Sequence, residues 1–319
     1  MRTVMKHAIF ALSLIPAAAA ADPITFAWTP NPQTPQVDVA LAEGYFEEAG
    51  LEVALVNFAS GREAFEALLG GQVDIAFMAE FPAATGALTG QDFAIVADLT
   101  RYTGSRIIGN SDQSPLDSLS DLDGKRIGTT LGTNVDYFLS TALTEAGVSA
   151  EVINAAPGDL VPALVRGDVD AIVPFPTFYQ GAKDALGARY LELRPGSYEP
   201  HYILAASPDM LARDADLTAF LGALVRADAD VAADPAMAAD RVSASLSGNV
   251  SVETLQGMWA DMEFGTVLAP DLPELLASEA AWIVGQGVIR AEVPTTADIA
   301  AILAPGPLAA AAPEVVTLD

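Results

Sequence analysis

One phrase of the sequence occurs twice, and this recurrence constrains the fold more than any other feature. "ALLGGQVDIAF" at residues 67–77 and "ALVRGDVDAIV" at residues 163–173 match at five of eleven positions, with a constant offset of 96 residues. Each copy joins the end of an amphipathic segment, a glycine and a short apolar run typical of a buried strand. The repeat therefore predicts two lobes with the same helix–turn–strand order.

Short apolar runs alternate with amphipathic segments in both halves, which is the pattern of a parallel sheet covered by helices on both faces. The predicted strands are residues 24–29, 51–58 and 73–78 in the first half and 126–130, 150–155 and 169–175 in the second. Between the halves, residues 95–125 contain a strand-like "SRIIGN" and then polar turn residues, which suits a hinge.

The predicted fold class is α/β, with two α/β lobes, a hinge and a helical C-terminal tail packed on lobe 1. Lobe 1 is predicted over 22–107, lobe 2 over 108–200, and a return to lobe 1 over 201–305. The return begins with a strand, and residues 208–303 are expected to be almost wholly helical. The alanine- and proline-rich end, 306–319, is expected to be peripheral or loosely ordered.

The first 21 residues predict a secretory signal peptide, since Arg2 and Lys6 precede a short apolar run and small residues that suit cleavage near Ala21. The sequence has no cysteine, which excludes disulfides, thiolate metal ligands and a lipid anchor on cysteine. Its net charge of −27 makes nucleic acid a poor partner. We expect a monomeric periplasmic protein that is not lipid-anchored.

Candidate ligand residues lie where predicted strands end, because ligands of open α/β sheets bind at the carboxyl ends of strands. Two of these loops begin helices with a capping-box pattern, from Ser60 to Glu63 and from Thr133 to Asp136. Capping alone would explain them, but a helix N-terminus also attracts anions. The candidates in these loops are Trp28, Gln33, Thr34, Ser60, Gly61, Gly132, Thr133 and Asn134.

Further candidates follow the last predicted strand of each half and occupy the returning strand. Glu80 is either a solvated rim acid or a counter-charge for a ligand amine, and Phe81 follows it. Phe175 is expected to face Trp28 across the cleft, and His201 and Tyr202 are expected to form a wall.

Basic residues are scarce, with 15 against 42 acidic ones, so those near cleft loops are candidate anion ligands. They are Arg62, Arg101 and Arg106. Histidine occurs only at His7 and His201, which excludes a histidine-rich metal cluster. Nucleotide-binding, zinc-protease and serine-hydrolase motifs are absent. The sequence therefore predicts a binding protein without a cofactor, not an enzyme.

Three phrases together resemble the nitrate/sulfonate/taurine group of ABC-transporter substrate-binding proteins: "EGYFEEAGLEV", "DLDGKRIG" and "GTNVDYFL". The resemblance covers residues 24–205 strongly and the tail weakly. It implies a type II periplasmic binding fold, whose two lobes are joined by two crossings, close on a small-molecule ligand and present it to an ABC permease.

Two details bear on the ligand. Many sulfonate binders of this group have a histidine where this chain has Asp136, and an acid there disfavours a bare inorganic anion such as nitrate. The "WTPN" loop resembles relatives that bind thiamine-precursor pyrimidines. The prediction is a small organic sulfonate or zwitterion, and the alternative ligand is such a pyrimidine. The alternatives of another class are an exported enzyme and a receptor-coupled sensor.

The two lobes are expected to be joined by two strands through residues near 106–110 and 200–206, to sample an open state and to close around the ligand. Trp28 is expected to report closure by fluorescence, whereas Trp259 and Trp282, in the predicted tail, are expected to report little.

Overall fold

Two separate sheets form the structure, a computed structural model that describes residues 22–196, 198–287 and 289–318. The predicted signal peptide, residues 1–21, lies outside the described residues. The strands are β1 Ile24–Ala27, β2 Val53–Val56, β3 Ile75–Ala79, β4 Ala94–Tyr102, β5 Ile107–Asn110, β6 Arg126–Thr129, β7 Glu151–Asn154, β8 Ala171–Val173, β9 Tyr190–Leu193, β10 His201–Ala206 and β11 Met262–Val267. Lobe 1 has a six-stranded sheet in the order β11-β4-β10-β3-β1-β2, and lobe 2 has a five-stranded sheet in the order β7-β6-β8-β5-β9.

Helices cover both sheets, as the alternating pattern predicts. They are α1 Pro35–Ala42, α2 Tyr45–Glu48, α3 Gly61–Leu69, α4 Phe81–Leu88, α5 Asn134–Ala146, α6 Leu160–Arg166, α7 Tyr179–Leu186, α8 Pro208–Ala212, α9 Asp214–Ala233, α10 Pro235–Ser245, α11 Val252–Trp259, α12 Asp271–Gly285, α13 Thr296–Ala300 and α14 Gly306–Ala311. No helix among the described residues is both long and apolar enough to cross a bilayer.

The repeated phrase has the same structural role in both lobes. Asp74 accepts hydrogen bonds from the backbone N–H of Thr25 at 2.7 Å and from its hydroxyl at 2.6 Å, which ties the start of β3 to β1. Asp170 accepts one from the backbone N–H of Arg126 at 2.9 Å, which ties the start of β8 to β6. The repeated aspartate thus joins the first and third predicted strands of each half, which pair in parallel in both lobes.

The chain crosses between the lobes twice, from β4 to β5 through residues 103–106 and from β9 to β10 between Leu193 and His201. The connections predicted near residues 106–110 and 200–206 thus lie a few residues earlier in the chain. Residues 107–110 and 201–206 are strands of the two sheets, because their apolar side chains are buried and their backbone groups pair with neighbouring strands.

The prediction of an almost wholly helical tail over 208–303 is wrong at β11. This strand pairs antiparallel with β4, aligning Met262 with Tyr102 and Phe264 with Thr100, and so becomes the edge of the lobe 1 sheet. The pairing partner lies about 160 residues earlier in the chain, so local pattern does not reveal it.

The expectation of a peripheral end over 306–319 is also wrong. Helix α14 packs on α9, and Leu308 is fully buried. The backbone N–H of Thr317 donates to the carbonyl of Leu268 at 2.8 Å, so the chain continues along lobe 1. Gly222 of α9 faces Ala311 of α14, since a methyl group at Gly222 would lie 3.7 Å from the Cβ of Ala311.

Candidate functional site

A cleft of about 380 Å³ lies between the lobes, and both lobes line it. Lobe 1 contributes the loops that follow β1 and β2, the end of β3 and the start of β10. Lobe 2 contributes the start of α5 and the loops that follow β7 and β8. The cleft is therefore at the carboxyl ends of parallel strands, where ligands of such sheets bind.

Nine of the candidate residues line the cleft: Trp28, Gln33, Ser60, Gly61, Arg62, Thr133, Asn134, Phe175 and Tyr202. Seven others do not: Thr34, Glu80, Phe81, Arg101, Arg106, Gly132 and His201. The structure adds lining residues that sequence analysis missed, notably Phe58, Phe77, Met78 and Phe178. Phe58, Phe77 and Met78 belong to predicted strand segments, and an apolar residue at the end of a strand is indistinguishable from a core residue in sequence.

The Trp28 ring forms one wall and is only 3% exposed. Its indole N–H donates to the Thr34 hydroxyl at 3.0 Å, so Thr34 supports the wall from behind. The loop is held further by Trp259, whose indole N–H donates to the carbonyl of Pro32 at 2.8 Å. Trp28 therefore offers a ring surface to the cleft, and its N–H group is already used.

Helix α3 begins in the cleft close to strand β3. The Ser60 hydroxyl accepts from the backbone N–H of Glu63 at 3.3 Å, but the Glu63 carboxylate accepts from Ala59 and not from Ser60. A methyl group at Gly61 would lie 2.8 Å from Cα of Met78, so only glycine permits this approach. Half of the predicted capping box is present.

The second predicted capping box, at the start of α5, does not form. The Thr133 hydroxyl donates backwards to the carbonyl of Thr130 at 2.7 Å, and no side chain caps the helix. The Asp136 carboxylate accepts from the backbone N–H of Gly132 at 3.0 Å, and burial raises its pKa. The first turn of α5 therefore presents uncapped N–H groups beside Thr133 and Asn134, where both residues line the cleft.

Two buried polar atoms of the lining, the side-chain oxygen of Gln33 and the hydroxyl of Tyr202, make no hydrogen bond of good geometry among the described residues, although the Gln33 side chain lies close enough to Tyr202 to oppose the rise in its pKa. Burial raises the pKa of Tyr202 far above its ordinary value, so the hydroxyl keeps its proton and can donate. A buried polar group without a partner is costly, so both groups are suited to a bound polar molecule.

Among the residues that the structure describes, no aspartate or glutamate lines the cleft, although the chain has 42 acidic residues. The charged member of this lining is Arg62, half-exposed at the start of α3 and 3.7 Å from Glu66. A methyl group at Gly132 would lie 3.4 Å from Cδ of Arg62, so this side chain also touches lobe 2. The cleft is electrostatically suited to an anion or a neutral molecule, not to a cation.

Both hypotheses for Glu80 are wrong, because it lies outside the cleft and is fully buried. Its carboxylate accepts from the Tyr198 hydroxyl and, at 3.0 Å, from the backbone N–H of His201. Helix α12 covers this position through its packing on α4. Phe81, next in the chain, packs against Tyr137 and Trp282.

His201 is also directed away from the cleft. Its Nδ1 lies 2.8 Å from Oδ2 of Asp98, and both side chains are buried. Burial alone would lower the histidine pKa, but the hydrogen bond and the charge of Asp98 outweigh it and raise the pKa. His201 therefore belongs to a buried hydrogen-bonded pair with Asp98, not to the ligand wall.

The predicted anion ligand Arg106 is occupied elsewhere. It is 3% exposed in the first crossing, bonds Glu192 at 2.9 Å and lies over the ring of Tyr179. Arg101 is likewise paired, with Asp271 at 2.9 Å. Of the three arginines singled out in the sequence, Arg62 lines the cleft.

Trp282 is not remote from the lobe boundary, contrary to expectation. Its indole N–H donates to the Ser140 hydroxyl in lobe 2 at 3.1 Å, and its ring contacts Tyr137. We therefore expect the fluorescence of Trp282 to depend on the lobe arrangement.

Comparison with known proteins agrees with this architecture. A family model described as NMT1/THI5 like matches residues 31–238. A putative aliphatic sulfonates-binding protein of Escherichia coli is 26% identical over 144 residues, which cover 44% of this chain and 45% of that protein. A putative thiamine biosynthesis protein of Haemophilus influenzae is 27% identical over 180 residues, which cover 54% of this chain and 57% of that protein. The chain thus matches about half the length of these curated relatives.

The fold is similar to that of the alkanesulfonate-binding protein SsuA from Xanthomonas axonopodis pv. citri, solved bound to MOPS. The TM-score is 0.73 at 17% identity, and the superposition covers 90% of this chain and 100% of that chain. The predicted periplasmic binding fold is confirmed by this likeness.

Proposed function

The chain belongs to the NMT1/THI5-like family, and we propose that it is an exported substrate-binding protein that captures a small organic anion of the sulfonate type. It closes its two lobes on this ligand and delivers it to the permease of an ABC importer. The location proposed is the periplasm, supported by the signal-peptide pattern of residues 1–21.

The observation that carries the ligand class is the absence of acidic side chains from the described lining, combined with hydrogen-bond donors from both lobes. The donors of lobe 1 include Arg62, the Tyr202 hydroxyl and the start of α3, and lobe 2 provides the uncapped start of α5. Donors and helix N-termini that converge from two sides are suited to the oxygens of a sulfonate group.

The remaining wall is apolar, which favours an anion with an organic body. Trp28, Phe58, Phe77, Phe175 and Phe178 surround the cleft, and its volume of about 380 Å³ exceeds what a bare inorganic anion fills. Asp136, on which the sequence-based argument against nitrate rested, is not in the lining. A zwitterion such as taurine is disfavoured for a different reason, because no lining carboxylate pairs with its ammonium group.

A second candidate is a thiamine-precursor-like pyrimidine, favoured by the unpartnered groups of Gln33 and Tyr202. An aminopyrimidine edge offers an N–H donor for the Gln33 oxygen and a ring nitrogen that accepts from Tyr202. The aromatic walls suit a flat ring, and one relative is a putative thiamine biosynthesis protein.

Calorimetric titration of the protein at pH 8 separates these candidates. The ligands are MOPS, hexanesulfonate, taurine, nitrate and a 4-aminopyrimidine. We expect MOPS and hexanesulfonate to bind more tightly than taurine and nitrate. Binding of the aminopyrimidine alone would favour the second candidate, and binding of nothing in the set would overturn the proposal.

A further inference from the structure

Helix α12 of lobe 1 packs against helix α5 of lobe 2, beside the cleft and not in it. Leu272, Leu276 and Ile283 of α12 are buried in the larger hydrophobic core, which contains the lobe 1 sheet, whereas Leu275 packs against the second core, which lies within lobe 2. Helix α12 is therefore seated in one lobe and contacts the other.

The contact centres on Trp282. Its ring meets the ring of Tyr137 edge to face with centroids 5.4 Å apart, and its N–H donates to Ser140. Phe81, at the start of α4, closes the cluster from lobe 1, at 5.7 Å from both rings. Trp282, Phe81, Tyr137 and Ser140 are called the Trp282 cluster below.

The cluster also adjoins the second crossing. Tyr198 of that crossing packs on Tyr137 with centroids 5.1 Å apart, and its hydroxyl lies 3.2 Å from a carboxyl oxygen of Glu279. Glu279 precedes Trp282 by three residues, so both side chains lie on one face of α12. One face of α12 therefore contacts both the second crossing, through Glu279, and lobe 2, through Trp282.

Helix α5 connects this cluster to the cleft. Tyr137 and Ser140 follow Thr133 and Asn134 within two helical turns, and the rise between Asn134 and Ser140 is about 9 Å. Since a short helix moves largely as a rigid unit, the contact of Ser140 with Trp282 constrains where the start of α5 lies in the cleft.

We propose that Trp282 is a positioning residue for ligand binding, which holds α5 of lobe 2 against lobe 1 and so favours the lobe arrangement that completes the cleft. The inference rests on the proposed function, because it assigns a role to a residue that does not touch the cleft. The contact is non-covalent and joins two lobes, so its geometry depends on the angle between them. If the contact between Trp282 and Ser140 is lost, a smaller fraction of the ligand-free protein has its lobes closed. The apparent affinity for the ligand falls in proportion to that fraction.

The test compares Trp282→Phe, Ser140→Ala and the double variant in titrations with MOPS, together with thermal unfolding. We expect each single change to weaken MOPS binding about threefold to tenfold, as for the loss of one hydrogen bond. The double variant should weaken it no further, because both changes remove the same bond. The matched control is Ser243→Ala, which removes a 2.8 Å hydrogen bond to Val250 within lobe 1 and should leave affinity unchanged.

Affinities within twofold of the unmodified protein, with only stability reduced, would show a purely structural role and overturn the proposal. An equal loss in the Ser243→Ala control would overturn it as well. If the unmodified protein binds neither MOPS nor the other ligands, the proposed function fails. The positioning role is then tested separately, by hydrogen exchange of the backbone amides in the first turn of α5. Faster exchange there in both single variants supports the positioning role, and unchanged exchange contradicts it.

Discussion

Glu80 and Glu279 belong to different parts of lobe 1, and the hydroxyl of Tyr198 contacts the carboxyl groups of both. All three side chains are buried, two of them completely. Burial raises the pKa of Glu279 well above its ordinary value of 4.5, and the nearby charge of Glu80 raises it further. Glu279 therefore keeps its proton to a higher pH than an exposed glutamate does.

This pair predicts a pH dependence of stability. Above pH 4.5 the unfolded chain releases the Glu279 proton while the folded protein keeps it, so the free energy of unfolding falls as pH rises towards the folded pKa. We expect Glu279→Gln, a neutral residue of similar shape, to reduce this fall and to stabilise the protein more at pH 8 than at pH 5. Urea unfolding at both pH values measures the change in unfolding free energy that the substitution causes. An equal effect of the substitution at the two pH values would contradict the assignment.

Tyr202→Phe is expected to weaken ligand binding without reducing stability. The hydroxyl is buried in the cleft and makes no hydrogen bond of good geometry with the described residues, so its removal should cost the ligand-free protein little, whereas the ligand loses a donor. We expect about a fivefold loss of MOPS affinity by calorimetry. Tyr45→Phe is the control, because it removes a hydrogen bond to Asp230 outside the cleft lining. Loss of stability without loss of affinity in Tyr202→Phe would argue against a ligand contact.

Arg62→Gln separates the two candidate ligands. The change removes the charged group of the lining, so we expect about a threefold loss of affinity for hexanesulfonate and a weaker dependence on salt. Affinity for a neutral aminopyrimidine should not change. The matched control, Arg241→Gln, removes a half-exposed arginine that pairs with Glu43 at 2.7 Å away from the cleft. Identical results for the two arginine variants would mean that Arg62 has no specific role.

Lobe closure should be visible by small-angle scattering and by tryptophan fluorescence. With MOPS bound we expect a smaller radius of gyration, because contacts made only in the closed form shift the lobe equilibrium. The fluorescence change should be shared by Trp28, which lines the cleft, and Trp282, which bonds lobe 2. Each single Trp→Phe variant at these positions should therefore remove part of the signal. Scattering that is identical with and without bound MOPS would rule out the hinge model.

Leu308→Ala tests the role of the C-terminal segment. Leu308 is fully buried where α14 packs on lobe 1, so its truncation should cost about 2–5 kcal/mol of unfolding free energy. Leu55→Ala, at a side chain that is 42% exposed, should cost well under 1 kcal/mol in the same denaturation experiment. If both substitutions lowered the unfolding free energy by equal and small amounts, the C-terminal segment would be peripheral, as its composition suggested.

The two-lobe architecture could be predicted because local pattern encodes it. Apolar runs and amphipathic segments specify strands and helices over a few residues, and the repeated Asp74 and Asp170 each tie the third predicted strand to the first. Because ligands of such sheets bind at the carboxyl ends of strands, residues that follow predicted strands could be predicted to line the cleft. Trp28, Ser60, Thr133 and Phe175 are such residues.

The partners of charged and polar residues were decided only by the tertiary structure. Arg106 and Glu192 are 86 residues apart, and nothing near either one in sequence indicates that they pair in the hinge. Glu80 looked like an exposed acid at a strand end, yet α12 and the second crossing cover it. Burial and pairing depend on which distant segments meet, and the free energy of a charge depends on that environment more than on its neighbours in sequence.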